Sequence, residues 1–119
     1  MAKILLIDDE PDVIEFQKKY LERRKHSVST AANTLEAMAL INKESPDVIF
    51  CDVRLETDTA GLEILAQAKK IIPNTIVYLV TGLTDKEIEE KGSALGAKEI
   101  LIKPLTNEIL AQKVQETAG

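Results

Sequence analysis

Three short stretches, Ile4 to Ile7 (ILLI), Val48 to Cys51 (VIFC) and Ile76 to Val80 (IVYLV), are apolar at every position. A strand with one wet face alternates apolar and polar residues, so unbroken apolarity over so short a run calls for burial on both faces, as at the centre of a parallel sheet. Two more segments have strand character, and the expected strands are 3 to 8, 26 to 31, 47 to 52, 75 to 81 and 99 to 103. Longer amphipathic segments with helix punctuation lie between them. Pro11 suits a first helical position, and Val13, Ile14, Phe16, Tyr20 and Leu21 recur at helical spacing. Asn33 to Glu36 and Thr84 to Glu87 have capping-box spacing or a close variant, and Thr106 precedes Ile109, Leu110 and Val114. Five βα units in succession predict an α/β fold, a parallel sheet covered on both faces through right-handed crossovers, with residues 1–119 forming one domain.

Composition narrows the function. At 119 residues and 45% hydrophobic the chain can bury a real core. Its net charge of -5 argues against a nucleic-acid partner, because neutralising phosphates needs clustered Lys and Arg. Cys51 is alone, so no internal disulfide is expected, and no Cys or His spacing suggests zinc; it is expected to be a small buried hydrophobe. His26, after Arg23, Arg24 and Lys25 near a helix end, is expected at the surface. The opening MAKILLIDD is too short in apolar residues for a signal peptide or a membrane span, so a cytoplasmic setting is expected.

In sheets of this class the site lies beyond the carboxyl ends of the strands, near a switch in strand order. Those ends are chemically uneven. The first strand runs into Asp8 and Asp9, the third into Asp52, the fourth into Thr81 and the fifth into Lys103, whereas the second ends in Ser29, Thr30 and Ala31. Alone, Asp8 and Asp9 fit a solvated turn with Glu10 capping a helix, and Thr81 fits an ordinary turn. A third carboxylate placed straight after VIFC is harder to assign to structure. Asp8, Asp9 and Asp52 together supply hard oxygen ligands, and Mg²⁺ held by one or two carboxylates and waters would relieve their repulsion. Lys103 and Thr81 are the right types to hold phosphoryl oxygens, Gly82 leaves room beside them, and Asp52 is the best placed carboxylate to act as a nucleophile.

IDDEP, VIFCDVR, YLVTG and ILIKPL, in this order and spacing, resemble the receiver domain of two-component response regulators over essentially the whole chain. The resemblance implies a flavodoxin-like fold of strand order 2-1-3-4-5 and phosphoryl transfer from a histidine kinase or phosphotransfer protein onto Asp52. It implies Mg²⁺ held by Asp9, Asp52 and the backbone carbonyl of Arg54, with Asp8 acting partly through water. It also implies Thr81 as the switch hydroxyl, Lys103 on the phosphoryl group, a cis Lys103–Pro104 peptide, and an output face made by the fourth helix, fifth strand and fifth helix. Such a module modifies itself and turns over no external substrate. Ile100 replaces the family's usual aromatic residue, and the loop VRLETDTA after Asp52 lacks its usual proline and is one residue longer before Gly61. Arg54 and Leu83 stand where side chains border the phosphoryl group and affect its hydrolysis. Two other functions are weighed against this one. A Mg²⁺-dependent phosphohydrolase is disfavoured by the absence of a D-x-D motif and of a substrate cap. A pseudo-receiver serving only as an interaction surface is disfavoured by the presence of every key residue.

Overall fold

The computed structural model describes residues 2–82 and 85–118. In chain order the elements are β1 (Lys3–Ile7), α1 (Pro11–Arg23), β2 (Ser27–Ala31), α2 (Thr34–Glu44), β3 (Val48–Asp52), α3 (Ala60–Ile71), β4 (Ile76–Thr81), α4 (Lys86–Ala94), β5 (Glu99–Ile102) and α5 (Asn107–Ala118). The five strands are parallel and lie in the order β2-β1-β3-β4-β5, the expected flavodoxin-like topology.

The unbroken apolar runs become the three central strands, and each divides its side chains between two cores. Leu5, Ile7, Ile49, Cys51, Val77 and Leu79 face one core, where Ala37 and Ile41 of α2 and Ile64, Leu65 and Ala68 of α3 meet them. Ile4, Leu6, Val48, Phe50, Tyr78 and Val80 face the other, against Ile14 and Leu21 of α1 and Leu110 and Val114 of α5. Burying each such side chain stabilises by about 1.5–3 kcal/mol before entropy is subtracted, so the alternation supports both helical layers. Phe50 and Tyr78 stack across β3 and β4 with ring centroids 5.1 Å apart.

Local signals set the helix ends. The Asn33 side chain accepts a hydrogen bond from the Glu36 backbone N–H at 2.9 Å, and the Thr106 hydroxyl accepts one from Ile109 at 3.2 Å. Pro11 occupies the first turn of α1 as expected. The start of α4 differs from the expected Thr84 box: the cap is Asp85, whose carboxylate accepts from the Glu87 N–H at 2.9 Å, while Thr84 itself lies outside the described residues. Asp85 prevails because a carboxylate accepts more strongly than a hydroxyl and carries the charge that a helix N-terminus favours. The face of α1 also departs from the apolar periodicity. Ile14, Gln17 and Leu21 are buried, whereas Phe16 is 65% exposed. His26 is half-buried, and its Nδ1 accepts a hydrogen bond from the Ala2 N–H at 3.1 Å. Cys51 is fully buried; burial pushes its thiol up, and the neutral S–H donates to the Asp52 carbonyl at 3.3 Å.

One glycine is dictated by a close approach. The first turn of α3 lies so near the end of β3 that a Cβ at Gly61 would sit 2.3 Å from the Asp52 carbonyl oxygen and 2.6 Å from the Val53 Cα. The Gly61 N–H donates to the Val53 carbonyl at 2.9 Å. Neither contact can be relieved by turning a side chain. Gly61→Ala is expected to cost at least about 2 kcal/mol in urea denaturation, in the range for forced overpacking. Gly82→Ala, with no atom of the described residues within 4 Å of its added Cβ, is expected to stay within about 0.5 kcal/mol of the parent.

Candidate functional site

The parallel register brings the polar strand ends to one edge of the sheet. Ile7 is level with Cys51, Asp52 with Val80, and Thr81 with Ile102, so the residues that follow β1 and β5 flank those that end β3 and β4. Asp52 and Thr81 are only 6% and 7% exposed, which places a carboxylate and a hydroxyl inside the protein at the mouth of this edge. The Asp8 N–H donates to the Ala31 carbonyl and the Val53 N–H to the Val80 carbonyl, both at 3.0 Å, so the chain stays anchored where it leaves β1 and β3. The Asp8 carboxylate turns back to accept the Glu10 N–H at 3.0 Å, closing an Asx turn at the entry to α1.

Lys103 is the hub of the site. Its Nζ donates to Asp52 Oδ2 at 2.7 Å, and lies 3.6 Å from Asp8 Oδ2 and 3.8 Å from Glu10 Oε1. Its own N–H donates to the Thr81 carbonyl at 2.8 Å, and the following Lys103–Pro104 peptide is cis. Burial pushes the Asp52 carboxyl above the ordinary carboxylate range; the Lys103 bond and charge pull it back, and the Asp8 charge pushes it up again. Burial lowers Lys103, but its bond to Asp52 and the charges of Asp52, Asp8 and Glu10 outweigh that and hold the ammonium above its usual value. The Lys103 bond and charge thus favour the ionised form of Asp52 against the burial that opposes it.

Asp8, Asp9 and Glu10 can each place a carboxylate oxygen within 4.8 Å of the other two. That spacing and donor set suit a hard divalent cation that keeps several waters. Asp52 stands apart from this trio, engaged by Lys103. Arg54, two residues on, lies exposed in the loop to α3, and its backbone N–H helps hold the Asp52 carboxyl in its charged form. Leu83 lies outside the described residues. The structure thus gathers Asp8, Asp9, Asp52, Thr81, Arg54 and Lys103 at one edge. It adds Glu10, which sits at the N-cap position of α1 but makes no side-chain cap bond. Gln17, buried on α1, lines a cavity of about 460 Å³ that opens at Asp8, Asp52 and Lys103. The 14, 17, 21 spacing of the buried face would have revealed it.

Because a single ammonium offsets several carboxylates here, its removal exposes the charge problem. Lys103→Met is expected to lower stability by about 2 kcal/mol near pH 7.5 without added metal, less than for a fully buried pair because Lys103 is partly exposed. Most of that loss should return when Asp52→Asn is added, as a double-mutant cycle in urea denaturation would measure. A carboxyl whose folded pKa lies above its unfolded one destabilises above that pKa and is relieved as pH falls through it. Losing Lys103 removes the pull that opposes the Asp52 rise, so the penalty of the single variant should shrink as pH falls from neutral toward the ordinary carboxylate range.

Comparison with known proteins agrees with this geometry. Residues 4–115 match the response regulator receiver domain. The chain is 33% identical over 109 residues to the alginate biosynthesis transcriptional regulatory protein AlgB of Pseudomonas aeruginosa, covering 92% of this chain and 24% of that protein. It therefore spans about a quarter of the length of the first matched relatives. It is also 26% identical over 114 residues to sporulation initiation phosphotransferase F of Bacillus subtilis, covering 96% of this chain and 91% of that one. The crystal structure of a CheY-like response regulator receiver domain protein from Methanospirillum hungatei superposes with a TM-score of 0.91 at 29% identity, covering 98% of this chain and 92% of that one. The fold, the match along the chain and the acidic edge converge on one conclusion: the chain belongs to the response regulator receiver domain family of two-component signalling.

Proposed function

We propose that Asp52 is the phosphoacceptor. The observation that carries this is the buried Asp52 carboxylate at the carboxyl edge of the sheet, bonded by Lys103 at 2.7 Å beside an oxygen-rich acidic cluster. A phosphohistidine on a histidine kinase or phosphotransfer protein is the donor. One Asp52 oxygen attacks phosphorus as the nitrogen–phosphorus bond breaks, and the electron pair leaves on the imidazole, which takes a proton from water. Lys103 then exchanges its bond to Asp52 for one to a phosphoryl oxygen, and the Thr81 hydroxyl holds another.

Asp8, Asp9, Asp52 and the Arg54 backbone carbonyl would hold Mg²⁺, with Asp8 acting partly through water. When bound, this ion offsets the charge that a dianionic phosphoryl group brings to a carboxylate-rich site. The domain changes only itself, acts in the cytoplasm and signals through the face of α4, β5 and α5. There Ile100 packs against the Gly92 turn of α4, and would fill space vacated when Thr81 moves toward the phosphoryl group. Among the described residues no helix is long and apolar enough to cross a membrane.

With Mg²⁺ and acetyl phosphate the chain is expected to gain one hydroxylamine-labile phosphate by mass spectrometry, and Asp52→Asn to gain none. Stoichiometric modification that survives in Asp52→Asn, or that does not depend on Mg²⁺, would remove Asp52 from this role. The lifetime of the phosphate bears on Arg54 and Leu83. Hydrolysis needs a water in line with the acyl phosphate, Leu83 offers no group to position it, and an Arg54 guanidinium paired with the phosphoryl oxygens blocks its approach. Arg54→Asn with Leu83→Gln is expected to shorten the lifetime roughly tenfold, about 1.4 kcal/mol of barrier, measured as phosphate loss at constant Mg²⁺ after the donor is removed.

A further inference from the structure

The segment that joins β3 to α3, residues 53–59, leaves the site directly from Asp52 and contains no proline to stiffen it. Its ends are fixed by the backbone. The Val53 N–H donates to the Val80 carbonyl at 3.0 Å, and the Thr59 carbonyl accepts from the Leu62 N–H at 3.0 Å. Between them the chain folds on itself, the Leu55 N–H donating to the Thr57 carbonyl at 3.1 Å. That N–H and the Arg54 carbonyl belong to one planar trans peptide unit, so whatever holds the first also sets the direction of the second. Glu56 is the residue enclosed by this bond. It is exposed, yet its carboxylate is engaged: it accepts from the Thr34 backbone N–H, at 3.0 Å to Oε2 and 3.3 Å to Oε1, and from the Thr34 hydroxyl at 3.0 Å. Thr34 is the first residue of α2, where N–H groups lack partners within the helix and negative charge is favoured. The Asn33 side chain takes the Glu36 N–H and the Glu36 side chain takes that of Ala32, so Glu56 completes this cap from another part of the chain. Ala37 and Ile41 anchor α2 in the core, which makes it a rigid post for the loop.

We propose that Glu56 is a positioning residue for the metal: by clamping the turn from Leu55 to Thr57 onto the start of α2, it fixes the direction of the Arg54 carbonyl and so strengthens Mg²⁺ binding. The inference rests on the reading that this carbonyl is a Mg²⁺ ligand. The Glu56 carboxylate is occupied by Thr34 and acts through the backbone alone.

The test titrates Mg²⁺ alone into the intact, unphosphorylated chain and reads its affinity from amide chemical shifts. Glu56→Ala is expected to weaken Mg²⁺ roughly tenfold, the low end of what loss of a partner behind a metal ligand causes. Glu56→Gln keeps an acceptor oxygen for Thr34 without the charge and should stay within about twofold of the parent. Asp58→Ala, which removes a charge from an exposed position of the same loop, should also stay within about twofold. Thr34→Val should weaken Mg²⁺ by less than Glu56→Ala and add nothing to it in the double variant. Without metal, the Leu55 amide should exchange faster with solvent in Glu56→Ala than in the parent. The proposal is overturned if Glu56→Ala binds Mg²⁺ as the parent does, if Glu56→Gln or Asp58→Ala loses as much as Glu56→Ala, if the Thr34 and Glu56 losses add, or if Leu55 exchange is unchanged. Mg²⁺ binding that is absent in the parent, or indifferent to Asp9→Asn, removes the metal reading and this inference with it. A parent that binds through Asp9 while Glu56→Ala binds equally well removes the inference alone.

Discussion

The hydrogen-bonded register of the parallel sheet is the constraint on which the rest of this molecule depends. A parallel ladder admits no half-measures, because a slip of one residue sends every side chain of a strand to the opposite core. With Ile7 level with Cys51 and Thr81 level with Ile102, the polar residues that terminate four strands are brought to one rim although up to 95 residues of sequence separate Asp8 from Lys103, the difference of their positions. The two cores enforce this register from both sides. Each apolar residue of β1, β3 and β4 has a helix to meet, so the carboxylates gain their position from packing that lies behind them rather than from attraction among themselves.

Left to electrostatics alone, the rim would not assemble. Asp52 is buried where a charge is unfavourable, Asp8 adds repulsion, and one ammonium offers the principal relief. Such an arrangement spends folding stability to keep a carboxylate in a dry setting. The acidic trio of Asp8, Asp9 and Glu10 remains more open to water, which divides the rim into a wet side suited to hydrated cations and a dry side held by the Asp52–Lys103 pair.

How much of this was legible in the sequence follows from which signals are local. The unbroken runs ILLI, VIFC and IVYLV reveal both the sheet and its burial, because no other common element demands apolarity at every position in so short a span. Asn33 and Pro11 announce their helices for similarly local reasons. Strand order came from resemblance instead, since periodicity carries no information about which strand neighbours which. The cap of α4 is Asp85, one residue beyond the expected Thr84, since both residues qualify by type and spacing alone cannot choose between them. Gln17 is not marked by apolar periodicity, because the buried face of α1 contains a polar residue at that position. The role of Glu10 was hidden for another reason: its approach to Lys103 is a long-range contact, set by the path of the chain after β5.

The glycine at the start of α3 also governs where the molecule is able to yield. With helix backbone pressed against the Asp52 carbonyl and the Gly61 N–H tied to Val53, the end of β3 has no room for a side chain at position 61. On the neighbouring strand the situation is reversed, for a Cβ at Gly82, just beyond Thr81, would meet no atom of the described residues within 4 Å. The sheet edge is thus close-packed behind the end of β3 and, among the described residues, open beside Gly82, so the two glycines set opposite tolerances to an added side chain on adjacent strands.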